Sequence, residues 1–140
     1  DMYDAVIERA DSMDIIVKAA AVADYRPKNV SSEKVKKQDG NMSIELERTD
    51  DILKTLGERK NGQFICGFSM ETENMLENSR KKLEKKNCDM IVANNLKQDG
   101  AGFGGNTNIV TLITKDDEVQ LEKMTKDEVA EKIFDFILSR

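Results

Sequence analysis

The strongest constraint on the fold is a set of three short apolar segments that are separated by helical patterns. They are Asp14–Ala21, Gln63–Phe68 and Asp89–Asn94. Segments of this length with little alternation of apolar and polar residues are typical of strands buried on both faces of a parallel sheet. Because strand and helix patterns alternate along the chain, we predict an α/β fold with right-handed crossover connections.

The remaining patterns complete a Rossmann-like, mostly parallel sheet flanked by helices, with a C-terminal β-hairpin and a closing helix. We expect helices at residues 2–9, 52–59, 73–86 and 125–138, a polar loop at 25–41, a half-exposed alternating strand at 42–48, and a hairpin of residues 109–114 and 118–123. Thr49 and the two aspartates after it offer an N-cap for the second helix. Thr125 and Glu128 form a capping-box pattern at the start of the last helix.

Composition narrows the class of function. The chain has 140 residues, enough for one domain with a core, and its formal net charge of −5 argues against a general nucleic-acid or membrane binder. It has no histidine, so catalysis would depend on lysine, carboxylates, backbone dipoles or a bound cation. Cys66 and Cys88 form no C-x-x-C pair, and we expect both to be reduced and buried in a cytoplasmic protein.

Three segments follow predicted parallel strands, where the ligands of such sheets bind. They are residues 19–27, 68–74 and 94–107, and we expect them to converge. In the first, Ala19, Ala20 and Ala21 leave room for a ligand beside the backbone. Asp24 has two interpretations. It binds magnesium or a sugar hydroxyl, or it is an ordinary turn residue. Lys34, ten residues later, is either a phosphate ligand or part of a solvated charged loop.

The helix between the second and third segments carries Lys82 and Lys86, which share a face because they are four residues apart. These lysines bind an anion or belong to a solvated face, and Phe68 packs on a base or in the core. The glycine-rich segment 95–107 has neither a Walker nor a dinucleotide-binding pattern. It is a lid over the site or a long connection. The candidate lid residues are Gly102, Phe103, Gly104 and Asn106.

Six strings occur in a fixed order along nearly the whole chain. They are Ala20–Pro27, Lys34–Lys37, Thr49–Leu53, Gly67–Thr72, Lys81–Asn94 and Gly102–Asn108. Together they resemble the bacterial phosphopantothenoylcysteine synthetase family, the CTP-dependent ligases of coenzyme A biosynthesis that join 4'-phosphopantothenate to L-cysteine. The resemblance implies that the substrate carboxylate attacks the α-phosphorus of CTP, which gives an acyl cytidylate and pyrophosphate. The cysteine amine then displaces CMP, and Mg²⁺ offsets the charge of the triphosphate.

The resemblance also implies a role for each matching residue. The implied nucleotide-binding residues are Ala19, Ala20, Ala21, Asp24, Lys34, Asp50, Asp51, Ile52, Leu53, Phe68, Lys82 and Lys86. Asp24 is in addition the candidate Mg²⁺ ligand, and Lys82 is the candidate catalytic residue because it would stabilise charge during cytidylate formation. Ser69 and Met70 depart from the pair of small residues expected after Phe68, which would reshape the pocket wall.

The family's amino-terminal part, with its glycine- and threonine-rich strand turn, has no match in this sequence. We therefore expect residues 1–140 to be one CTP-binding ligase domain in truncated form, which binds CTP without completing the reaction. The resemblance further implies a homodimer and a fused decarboxylase domain upstream. Two other classes remain open. A nucleotide-binding oxidoreductase would need a glycine fingerprint that Ala19–Ala23 lacks, and a non-catalytic assembly module would use strand 42–48 and hairpin 109–123 as a dimer face.

Overall fold

The computed structural model describes residues 1–37, 39–71, 73–95 and 105–140, and these form two compact units. The larger unit consists of Asp1–Ala20 and Ile52–Arg140, and the smaller one of Ala21–Asp51. The helices are α1 (Met2–Ala10), α2 (Ile52–Arg59), α3 (Met75–Lys85) and α4 (Lys126–Leu138). The strands are β1 (Ile15–Lys18), β2 (Tyr25–Pro27), β3 (Leu46–Arg48), β4 (Phe64–Glu71), β5 (Met90–Asn95), β6 (Thr107–Asn108), β7 (Val110–Ile113), β8 (Glu118–Gln120) and β9 (Met124–Thr125).

The larger unit is built on a sheet with the strand order β1-β4-β5-β7-β8. β4 runs parallel to both of its neighbours, with Val17 of β1 opposite Cys66 and Val92 of β5 opposite Phe68. β7 runs antiparallel to β5 and to β8. β7 is therefore the reversed strand of this sheet in the described ranges, which confirms the α/β fold and the mostly parallel sheet.

Apolar clusters cover both faces of this sheet. On one face α2 and α3 pack against the strands, and on the other face α4 does so. The first cluster includes Leu53, Leu56, Leu83 and Ile91, and the second includes Val92, Leu112, Val129 and Ile133. Ile91 and Val92 lie in different clusters because successive side chains of a strand point to opposite faces. The helices on the two faces thus keep the apolar strands out of water.

The apolar segments form strands, but their ends differ from the prediction. β1 covers only part of Asp14–Ala21, and its residues are half-buried rather than buried, because it is an edge strand that pairs only with β4 in the described sheet. β4 continues past the predicted end at Phe68, because Met70 and Glu71 still pair with β5. α3 accordingly begins later than predicted, after Asn74, which has a left-handed φ of 49°.

The smaller unit contains an antiparallel ladder of β2 and β3 in which Arg26 lies opposite Glu47. Arg26 Nε bonds Glu47 Oε1 at 2.7 Å, and Lys28 Nζ bonds Glu45 Oε1 at 2.7 Å. The prediction of a loop over residues 25–41 was wrong at Tyr25–Pro27. The strand partner of these residues lies about twenty positions later, so local composition does not reveal the pairing. The strand predicted at 42–48 is correspondingly short, since only Leu46–Arg48 has a partner.

The C-terminal elements agree with the prediction. β7 and β8 form the expected hairpin. At the start of α4, Glu128 N donates to Thr125 Oγ1 and Thr125 N donates to Glu128 Oε2, which is a complete capping box. No helix in the part of the chain that the structure describes is long and apolar enough to cross a membrane.

Candidate functional site

Lys82 is half-buried on α3, and its side chain reaches β4. Its Nζ donates a hydrogen bond of 2.9 Å to the backbone oxygen of Phe68. Side chains of a helix point towards its N-terminus. Because α3 begins after the carboxyl end of β4, the side chain of Lys82 points towards that end of the strand. In parallel sheets ligands commonly bind beyond the carboxyl ends of the strands. Within the described residues Lys82 forms no ion pair. Its positive charge is therefore available to an anion.

Lys86 lies one turn further along the same face of α3 and is also half-buried. Both lysines are close enough to Cys88 to lower the pKa of its thiol, although burial outweighs them and raises that pKa to about 11. Lys81 lies on the solvated face and pairs with Glu77 at 2.6 Å, and Lys85 is exposed. The structure thus separates a half-buried pair of lysines from an exposed pair on one helix.

The end of β4 holds a hydrogen-bonded group that the sequence did not reveal. Ser69 is 1% exposed, and its Oγ donates to Glu71 Oε1 at 2.8 Å. Asn78, one turn before Lys82, donates from Nδ2 to Glu71 Oε2 at 3.2 Å. Phe68 is half-buried and packs on the cluster beneath α4. The spacing of Asn78 and Lys82 could have located this group, since residues four apart on a helix share a face.

The start of α2 lies against β4. Ile52 and Leu53 are 3% and 4% exposed, so their side chains belong to the core, and the helix start would offer a ligand its backbone. A Cβ at Gly67 would lie 2.6 Å from Leu53 Cδ2. Glycine at this position therefore allows α2 to pack closely on the strand.

The smaller unit holds the predicted nucleotide-binding residues Ala21, Asp24, Lys34, Asp50 and Asp51, all of which are exposed. Thr49 anchors the backbone beside Asp24. Its N–H donates to Asp24 O at 2.9 Å, and its hydroxyl donates to Ala23 O at 2.6 Å. Ala19 and Ala20 belong to the larger unit and are exposed, and Lys18 Nζ donates to Ala20 O at 2.8 Å.

Asp24 is the candidate Mg²⁺ ligand. The described residues contain no group of three or more histidine, cysteine, aspartate or glutamate side chains that could hold a metal ion. Mg²⁺ commonly binds through one or two carboxylates together with substrate phosphates. The carboxylate of Asp24 forms no hydrogen bond or ion pair within the described ranges. Its exposure and charge therefore fit a Mg²⁺ ion that arrives with a nucleotide.

The candidate lid is only partly described. Gly102, Phe103 and Gly104 lie outside the described residues. Asn106 is exposed, and its backbone oxygen accepts a hydrogen bond of 3.0 Å from Lys126 N at the start of α4. Of the three segments expected to converge, the second and third do so in part, because Glu71 lies opposite Asn95 at the ends of parallel β4 and β5.

The mostly parallel sheet lies between helices, and this architecture defines a Rossmann-like α/β domain. At its site, the half-buried Lys82 contacts β4. Residues 1–140 match the model of the DNA/pantothenate metabolism flavoprotein C-terminal domain family, and the chain belongs to this family.

Relatives of known name and structure are similar over most of the chain. The coenzyme A biosynthesis bifunctional protein CoaBC of Bacillus subtilis (strain 168) is 55% identical over 116 residues, which are 83% of this chain and 29% of that protein. A cysteine/cysteine sulfinic acid decarboxylase of an unknown prokaryotic organism is 43% identical over 141 residues, 99% of this chain and 39% of that protein. A crystal structure of the C-terminal domain of CoaBC superposes with a TM-score of 0.78 at 46% identity, covering 98% of this chain and 59% of the other. The chain thus spans less than two fifths of the length of these two relatives.

Proposed function

We propose that this chain is part of a phosphopantothenate–cysteine ligase of coenzyme A biosynthesis, which uses CTP and releases CMP and pyrophosphate. Family membership over residues 1–140 and the name of the Bacillus subtilis relative support the proposal. The structural observation that carries it is the half-buried Lys82, whose ammonium group bonds a neutral carbonyl oxygen at 2.9 Å and forms no ion pair within the described residues. A lysine in this state suits a phosphate ligand, because the carbonyl does not neutralise its charge.

The first step forms the acyl cytidylate. A carboxylate oxygen of 4'-phosphopantothenate attacks the α-phosphorus of CTP, and the bond from that phosphorus to pyrophosphate breaks. Negative charge on the phosphoryl oxygens is stabilised by Lys82, with Lys86 one turn away on the same face. Lys34 is a further nucleotide-binding residue of the proposal. Asp24 would hold the Mg²⁺ that accompanies CTP and offsets the charge of the triphosphate.

The second step forms the amide. The ammonium group of L-cysteine first gives a proton to water. The free amine then attacks the acyl carbon, the bond from that carbon to the oxygen of CMP breaks, and the nitrogen loses a second proton to water. The chain has no histidine to act as a base near neutral pH. The step therefore depends on the positioning of the two reactants and on carboxylates.

A homodimer is part of the proposal. On one face of the β2–β3 ladder Tyr25 and Leu46 are 51% and 55% exposed, with Arg48 over the ring of Tyr25, whereas the charged pair of Arg26 and Glu47 occupies the other face. An exposed apolar face of this kind is typical of a protein–protein contact. The same face favours a second candidate function, a non-catalytic dimerisation module.

We also include an upstream decarboxylase domain. The name of the Bacillus subtilis relative calls that protein bifunctional, and the other relative is named a cysteine/cysteine sulfinic acid decarboxylase. A cytoplasmic location suits Cys66 and Cys88, which are both free.

Calorimetry with Mg²⁺ and CTP, ATP, GTP or NAD tests the proposal. We expect CTP-selective binding that weakens in Asp24→Asn and in Lys34→Gln. Lys28→Gln is the matched control, because Lys28 lies in the same unit but pairs with Glu45. Binding of no nucleotide would favour the dimerisation module, and preference for NAD would favour an oxidoreductase.

Pyrophosphate release tests the expectation that the chain is truncated. With phosphopantothenate and CTP, we expect release only when the chain is joined to the amino-terminal part that its relatives possess. Equal release by the chain alone would contradict this expectation.

A further inference from the structure

Glu71 is a half-buried carboxylate at the end of β4 that is held by neutral groups only. Ser69 Oγ donates to its Oε1 at 2.8 Å, and Asn78 Nδ2 donates to its Oε2 at 3.2 Å. Within the described residues Glu71 forms no ion pair. Removing a carboxylate from water is costly unless an opposite charge compensates it. The two donors fix the orientation of the carboxylate and leave its negative charge uncompensated.

The cations nearest to Asn78 along α3 contact other groups. Arg80 bonds Glu118 at 2.7 Å, Lys81 bonds Glu77 at 2.6 Å, and Lys82 bonds the backbone oxygen of Phe68 at 2.9 Å. The side chain of α3 that reaches Glu71 is the neutral amide of Asn78. None of these three hydrogen bonds involves Glu71, and Lys82 contacts the same strand at Phe68, three residues earlier.

We propose that Glu71 binds the α-ammonium group of L-cysteine in the second step of the reaction. This inference rests on the proposed ligase function. Of the reactants in that step, the acyl cytidylate is anionic, whereas cysteine carries a cationic nitrogen that must lie close to the acyl carbon. An ammonium group has three donors, and each oxygen of Glu71 keeps a free lone pair beside the hydrogen bond it already accepts.

Mg²⁺ is the other cation of the reaction. The described residues offer no cluster of three or more metal-ligating side chains that includes Glu71. A single carboxylate can still bind Mg²⁺ together with substrate phosphates, as proposed for Asp24. The two steps of the reaction distinguish the two cations, because Mg²⁺ accompanies CTP in the first step and cysteine enters in the second.

Glu71→Gln tests the inference, because it keeps the shape and removes the charge. The variant is made in the chain joined to the amino-terminal part of its relatives, and its fold is checked by a urea titration. With phosphopantothenate, CTP and Mg²⁺ but no cysteine, we expect pyrophosphate release in the first turnover to be unchanged. In the complete reaction we expect the KM for cysteine to rise about 10- to 100-fold, as for loss of a charge-assisted hydrogen bond.

Two further variants sharpen the test. Glu77→Gln is the matched control, since Glu77 is an exposed carboxylate that pairs with Lys81, and we expect no change in either measurement. Ser69→Ala removes one of the donors that orient Glu71, and we expect a smaller rise in the KM for cysteine.

The outcomes distinguish this inference from the proposed function. An unchanged KM for cysteine in Glu71→Gln would overturn the inference and leave the ligase proposal standing. A fall in pyrophosphate release equal to the fall in product would also overturn it, because Glu71 would then act on CTP or Mg²⁺. No pyrophosphate release by the unsubstituted protein would overturn the ligase proposal itself, and this inference with it.

Discussion

The ammonium group of Lys82 lies 2.9 Å from the backbone oxygen of Phe68, so a charged side chain joins α3 to β4 without an opposite charge. A carbonyl oxygen accepts this hydrogen bond but leaves the positive charge in place. A phosphate oxygen can therefore replace the carbonyl and gain a charge-assisted hydrogen bond. The contact gives the half-buried ammonium group a hydrogen-bond acceptor.

The first prediction concerns this lysine. The variant Lys82→Gln, made in the chain joined to the amino-terminal part of its relatives, keeps a hydrogen-bond donor but loses the charge. We expect its pyrophosphate release to fall about 10- to 100-fold, the effect of about 1.5–3 kcal/mol from a hydrogen bond to a charged group. Lys81→Gln is the control, because Lys81 is exposed and pairs with Glu77. Equal losses in both variants would mean that overall charge, rather than the position of Lys82, controls the reaction.

The second prediction concerns the contact of α2 with the end of α3. A Cβ at Gly57 would lie 1.8 Å from Lys86 O, and Asn87 Nδ2 donates to Gly57 O at 2.8 Å. Gly57→Ala must therefore push α3 away, although alanine favours helices. We expect it to lower the free energy of unfolding by about 1–3 kcal/mol, measured by urea titration.

Glu58→Ala is the matched control for this variant, since Glu58 is the exposed neighbour of Gly57 on α2. We expect a change within about 0.5 kcal/mol there, as for most surface substitutions. An alanine at position 57 that stabilised the protein would show that helix propensity outweighs the close contact with Lys86.

Local signals were sufficient for several elements. The N-cap pattern of Thr49 and the two aspartates after it predicted a helix over Ile52–Arg59, which are the observed bounds of α2. The spacing of Thr125 and Glu128 predicted the capping box of α4. Both patterns lie at the start of the helix that they predict. Patterns of residues that are close together in the chain can be recognised in a single sequence.

Non-local contacts account for what the sequence did not reveal. Tyr25–Pro27 becomes a strand because Leu46–Arg48 pairs with it, and β1 is half-buried because it lies at the edge of the described sheet. The neutral partners of Glu71 were equally hidden, since Arg80 and Lys81 pair with other carboxylates. The sequence predicted the buried strands but not all of their ends, and it could not say which side chains meet there.

The third prediction concerns the two buried thiols. Burial is the main cause that raises the pKa of Cys66 to about 12 and that of Cys88 to about 11, compared with 9.0 for an unperturbed thiol. Between pH 9.0 and these raised pKa values, the two thiols keep their protons in the folded protein but lose them in the unfolded chain. Their contribution to stability is complete below pH 9.0 and is lost as the pH rises through the folded pKa values of about 11 and about 12.

Urea titrations between pH 8 and pH 11 measure this effect. We expect a slope of at most about 1.4 kcal/mol per pH unit for each thiol, and we expect the slope to decrease in Cys66→Ala. Thiol reagents should label neither cysteine of the folded protein at pH 8 and both after unfolding. Rapid labelling of the folded protein would contradict the burial of Cys66 and Cys88.

The fourth prediction concerns Asp89, whose carboxylate joins the starts of β4 and β5. Its Oδ2 accepts a hydrogen bond of 2.7 Å from Ile65 N, and its Oδ1 accepts one of 2.5 Å from Lys60 Nζ. Asp89→Ala would leave the N–H of the buried Ile65 without this partner. We expect a loss of about 2–4 kcal/mol in the free energy of unfolding, most of it from the unsatisfied donor.

Lys60→Gln separates the two contacts of Asp89. It removes the ion pair, which is partly exposed and contributes little in water, but keeps the hydrogen bond from Ile65 N. We expect a loss below about 1 kcal/mol in this variant, measured by the same urea titration. If Lys60→Gln cost as much as Asp89→Ala, the ion pair and not the backbone hydrogen bond would hold these two strand starts together.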